Sequence, residues 1–63
     1  MTNKEKVLTW IDKQFIPGSV TTEDFPALPG GTIVKDVEGG MMLVFFDVLT
    51  DSVKYYFGAE VSN

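Results

Sequence analysis

Cysteine, histidine and arginine are all missing from this 63-residue chain. Without cysteine there are no disulfides, and without thiolate or imidazole there is no ordinary zinc site. The same two absences remove Cys–His and Ser–His nucleophilic pairs and any side chain that titrates near neutral pH as a general acid or base. The chain is therefore expected to be no enzyme, with no cofactor and no metal. Lacking arginine, it has no bidentate fork for phosphate or guanine.

Long apolar runs are missing too. The longest, Met41 to Phe46, is six residues, far short of a membrane span. Met1-Thr2-Asn3-Lys4-Glu5-Lys6 leads into an amphipathic segment, not an apolar one, so no secretory leader is expected and a cytoplasmic location is the default.

What the chain does have is acidity and apolar bulk. Five lysines face nine carboxylates, for a net charge of −4. Such a chain is repelled by nucleic acid and anionic membranes and is better suited to solvent or a basic protein surface. At 44% apolar and 13% aromatic residues, the composition is that of a folded domain. One small domain spanning residues 1–63 is expected. A chain this short buries only about 60% of the surface of its unfolded form, and association with another chain is the remaining way to enlarge its core.

The first expected element is a helix over residues 3–15. Thr2 supplies an N-cap and Glu5, three residues on, completes a capping box. Val7, Leu8, Ile11 and Phe15 fall on one arc, with Trp10 off its edge. Pro17 ends the helix. Residues 17–31, rich in Pro and Gly, are expected to form a loop, with Thr21-Thr22-Glu23-Asp24 as a single helical turn ended by Pro26. Three strands then follow at residues 32–37, 41–49 and 53–61, joined by the tight turns Glu38-Gly39-Gly40 and Thr50-Asp51-Ser52. The expected class is α+β: one N-terminal helix on a three-stranded antiparallel meander, in the order α-β-β-β.

The central strand is the unusual one. Residues 41–49, MMLVFFDVL, place Met42, Val44, Phe46 and Val48 on one face and Met41, Leu43, Phe45, Asp47 and Leu49 on the other. A single helix covers only one of these. Either the 17–31 loop covers the second, with Phe25, Val20 and Leu28 as plugs, or another protein chain does. The pattern alone leaves open which face meets the helix. The candidate interface is Met41, Leu43 and Phe45 with Tyr56 beside them and Trp10 at the rim; in the opposite register Met42, Val44 and Phe46 take their place.

Three other stretches carry weaker signals. Tyr55-Tyr56-Phe57 beside Phe45-Phe46 resembles a base-stacking platform, but only Lys35 and Lys54 would supply positive charge. Pro26-Ala27-Leu28-Pro29 fits P-x-x-P without the basic flank that polyproline ligands carry, and a rigid turn is the simpler reading. Asp36, Glu38, Asp47, Asp51 and Glu60 lack the spacing of a calcium loop and instead form a candidate acidic surface. The leading expectation is a small acidic protein-binding module. It associates with itself as a homodimer or higher oligomer through the sheet, and an inhibitor or adaptor of the phage or mobile-element type, occupying a basic protein partner, is one form it could take. A nucleic-acid-binding sheet domain using the aromatic residues and a structural subunit of a larger assembly are the alternatives.

Overall fold

The computed structural model describes residues 2–57. Helix α1 spans Asn3–Gln14, and four strands follow: β1 Val20–Asp24, β2 Thr32–Asp36, β3 Met41–Asp47 and β4 Ser52–Tyr56. The strands form one antiparallel sheet in the order β1-β2-β3-β4. No helix among the described residues is long and apolar enough to cross a membrane.

Local chemistry starts the helix as expected. Thr2 Oγ1 accepts from the Glu5 N–H at 3.1 Å, and the Thr2 N–H donates to Glu5 Oε1 at 2.8 Å. Phe15, in extended geometry, caps the other end, its N–H donating to the Ile11 carbonyl at 3.0 Å. From there α1 lies across β3 and β4. Val7 and Ile11 enter a core formed with Val34, Met42, Val44 and Phe46. Leu8, expected on the apolar arc, is exposed, while Trp10 packs against this core and stacks on Tyr55 at 5.5 Å. The helix sits toward β4, so the flank carrying Trp10 meets sheet and the flank carrying Leu8 meets solvent.

The three-stranded meander is corrected to four strands. Residues 20–24, read as loop with one helical turn, are an edge strand paired with β2 from Val20↔Asp36 to Asp24↔Thr32. The Thr-Thr-Glu-Asp run carries helix-start residues, but Val20, Thr21 and Thr22 are β-branched and prefer extended backbone. With a single apolar residue the strand shows no alternation, and that polarity suits an edge, where charged and hydroxyl side chains discourage further pairing. The later strands are shorter than expected: β2 ends at Asp36, β3 at Asp47, and β4 covers Ser52–Tyr56. Residues 58–61 of the expected third strand lie outside the described residues.

The β2–β3 and β3–β4 turns are each held by an aspartate. Asp36 Oδ1 accepts from the N–H groups of Glu38 and Gly40 at 2.9 and 2.8 Å, bridging a three-residue loop whose last member, Gly39, has φ +91°. A Cβ on Gly40 would lie 2.7 Å from Asp36 Oδ2, so a side chain there would push the carboxylate away from this position. At the β3–β4 turn, Asp47 Oδ1 accepts from the Leu49 N–H at 2.9 Å, and Asp51 takes the left-handed conformation at φ 56°.

Candidate protein interface

The buried side chains settle the orientation of the sheet. Met42, Val44 and Phe46 meet the helix, so alternation along β3 sends Met41, Leu43, Phe45 and Asp47 to the opposite face. The pairing register carries this face across the sheet. Glu23, Ile33, Leu43 and Tyr56 form one row, each directly across from the next. Lys35 pairs with Met41 in the row on one side, and Phe45 with Lys54 in the row on the other.

Four of the expected interface residues, Met41, Leu43, Phe45 and Tyr56, thus share the face that the helix leaves uncovered. Phe45 and Tyr56 stack at 5.6 Å with their rings 16° apart. Tyr56 is 63% exposed and Met41 39%, while Leu43 and Phe45 are half-buried. Trp10, expected at the rim, is on the other side of the sheet against Tyr55, so it does not belong to this surface. The opposite register is closed, because Met42, Val44 and Phe46 are core.

Nor does the segment 17–31 cover this face. Its middle lies alongside the sheet as β1. Val20 packs toward the helix-side core, and Leu28 lines a depression beside Lys4 together with Pro26 and Pro29. The Pro29 carbonyl accepts from the Phe46 N–H at 2.9 Å, which ties the P-x-x-P stretch into the sheet end and away from any flexible tail. Of the three supposed plugs only Phe25 borders the uncovered face, where it lines an apolar depression of about 190 Å³ with Ile33, Met41 and Leu43.

Charge frames the apolar centre. Lys35 pairs with Glu23 at 3.2 Å on the β1–β2 side, and Lys54 with Asp47 at 3.4 Å on the β3–β4 side. Among the described residues, these two lysines and two carboxylates balance one another on this face, on a chain of net charge −4. Slight burial works against the charged form of Asp47. The Leu49 N–H, the Lys54 ammonium and the backbone and hydroxyl of Thr50 outweigh it, holding the carboxyl below the usual carboxylate range.

The expected acidic surface is not brought together. Asp36 and Glu38 belong to the β2–β3 turn, Asp47 and Asp51 to the β3–β4 turn. β3 runs between them, a separation of roughly 20 Å at the rise of a strand. Glu60 lies outside the described residues. The described residues hold no cluster of three or more carboxylates able to bind a metal ion.

Ile33, Glu23 and the Phe25 depression are the parts of this surface that strand-by-strand reading missed. Ile33 was within reach, since a three-residue hairpin loop after Asp36 places it across from Leu43. Glu23 was not, because β1 was not visible. In comparisons with protein families, curated proteins and solved structures, nothing matches this chain.

Proposed function

We propose that this protein is a small non-enzymatic binding module that acts through the helix-free face of its sheet, where a second copy of the chain docks. The observation that carries this reading is the row Ile33–Leu43–Tyr56 with Phe45 and Met41, an apolar centre that the helix leaves uncovered, flanked by two ion pairs. An apolar centre enriched in aromatic and Met side chains, inside a polar rim, is the usual anatomy of a protein interface. The balanced charges of the described residues on this face favour a second copy, because among them docking brings no net like charge into contact. The division of the carboxylates between the two ends of the sheet favours this apolar face over an acidic surface as the contact.

The size of the molecule bounds the strength. A standard interface takes about 800 Å² from each partner, which is nearly a fifth of the 4441 Å² that this chain exposes. Four short strands supply that at most, so the dimer belongs to the weak, micromolar class. Sedimentation equilibrium between about 10 and 500 μM tests this, a range that brackets weak interfaces. Wild type is expected to shift from monomer to dimer, and Phe45→Glu to remain monomeric while keeping its circular dichroism spectrum. A wild-type protein that stays monomeric across this range overturns self-association.

A further inference from the structure

We infer that the two copies meet about a two-fold axis parallel to the strands and lying between β2 and β3, so that β1 of each copy covers β4 of the other. This rests on the helix-free face being the contact, and it assigns the register. The face carries a projection and a recess side by side. The stacked Phe45–Tyr56 pair stands over β3 and β4, and the depression lined by Phe25, Ile33, Met41, Met42 and Leu43 lies over β2, between Phe25 just past β1 and the first residues of β3. A two-fold contact requires one patch to complement itself, and it succeeds when projection and recess exchange places under the rotation. Rotation about an axis between the two central strands makes that exchange, bringing each aromatic pair over the other copy's recess.

The same rotation orders the charges. Lys54 shares a row with Phe45, and Glu23 shares the adjacent row with Leu43 and Tyr56. Reversing the strand order carries Lys54 of one copy over β1 of the other. There it falls one residue pair along from Glu23, about 7 Å measured along a strand, within reach of two extended side chains. Both groups are exposed, and the surface ion pairs they make within their own chain, Lys54 with Asp47 at 3.4 Å and Glu23 with Lys35 at 3.2 Å, are of the kind that exchanges partners at little cost in water. Each dimer then has two equivalent Glu23–Lys54 contacts across the interface. Sheets stacked this way run nearly aligned, the common arrangement of face-to-face sheets.

Charge reversal separates this register from the interface itself. Glu23→Lys and Lys54→Glu each place like charges opposite one another in the homodimer, and each is expected to weaken association about tenfold or more at low salt. Mixing the two variants pairs opposite charges at both contacts, so a heterodimer is expected to recover to within about threefold of wild type at matched ionic strength. Isotope-filtered NMR on a mixture of labelled and unlabelled wild type gives a second readout without substitution: contacts from the Phe45 and Tyr56 rings to the Ile33 methyls of the other copy. A dimer that Phe45→Glu disrupts, but whose charge variants show no preference for each other and whose spectra lack these contacts, overturns the register and leaves the face intact. A wild-type chain that is monomeric at all concentrations overturns both.

Discussion

The ammonium of Lys4, in the first turn of the helix, donates to Thr32 Oγ1 at 2.7 Å, and Thr32 is fully buried at the start of β2. The same nitrogen donates to the Gly31 carbonyl at 3.0 Å and reaches Asp24 at 2.7 Å, so all three of its protons are placed. Thr32 in turn donates to the Gly30 carbonyl at 3.1 Å. One side chain thereby joins the helix start to both β1 and β2, with no proton left over for a ligand in the neighbouring depression. Replacing Lys4 by Met is expected to cost about 1–3 kcal/mol, since acceptors shielded from water lose their donor. Asp24→Asn, at the solvent side of the same nitrogen, is expected to cost less than about 1 kcal/mol. Urea unfolding of the two variants side by side checks the ranking.

Gly30 lies against the first turn of the helix at φ +62°. A Cβ there would stand 2.7 Å from the Asn3 carbonyl oxygen and 3.0 Å from Val7 Cγ2. Gly18 has φ +89° with open space around its Cβ position. Alanine at Gly18 is expected to cost about 1 kcal/mol from the left-handed backbone alone. Alanine at Gly30 carries the same strain plus the clash, and should lower the melting temperature clearly further, by at least another 5 °C or so. Equal losses in thermal melts would show that the loop yields and that the contact with the helix is not tight.

Asp47 sets a dependence on acid. Its carboxyl titrates lower in the folded chain than it would unfolded, so the charged form favours folding. That contribution is present above the unfolded value, near pH 4, and is lost as pH falls through the lower folded value. Asp47→Asn is expected to be less stable than wild type at neutral pH and to converge with it in acid. Denaturation midpoints measured from pH 7 down to pH 2 check this; a constant gap between the two curves would exclude the carboxylate as its source.

Lys35 and Lys54, the cations on the face of the Phe45–Tyr56 pair, are each balanced by a carboxylate on that same face, so they make no positive groove. A stacking platform for single-stranded nucleic acid needs a positive groove beside its aromatics. No mobility shift of random single- or double-stranded DNA is expected at physiological salt up to about 100 μM protein, at or beyond the weak end of non-specific affinities. A shift at low micromolar protein would replace the protein-binding reading with the aromatic one.

Trp10 reports on the side of the sheet away from the proposed contact. Because it stacks on Tyr55 beneath the helix, its emission maximum is expected to be unchanged between 10 and 500 μM, as the dimer forms, and unchanged in Phe45→Glu. Tyr56 faces the contact, and its ring resonances are expected to move over the same range. A concentration-dependent Trp10 emission would place the contact on the helix side.

What could be read from the chain directly was whatever neighbouring residues decide. Thr2 and Glu5 start the helix by bonds three residues apart, Pro17 limits its end, and Asp36 with Gly39-Gly40 makes a turn that only antiparallel strands can flank. The long-range pairings were less legible. Val20–Asp24 is a strand because β2 supplies hydrogen-bond partners twelve or so residues away, and its own polar side chains carry no trace of that pairing. The two faces of Met41–Asp47 are nearly equal in apolar character, so alternation shows that two faces exist without ranking them. The choice was made by the tertiary structure: Val7 and Ile11 fit against Val44 and Phe46, Trp10 turns toward Tyr55, and Leu43 and Phe45 are left on the side that no helix reaches.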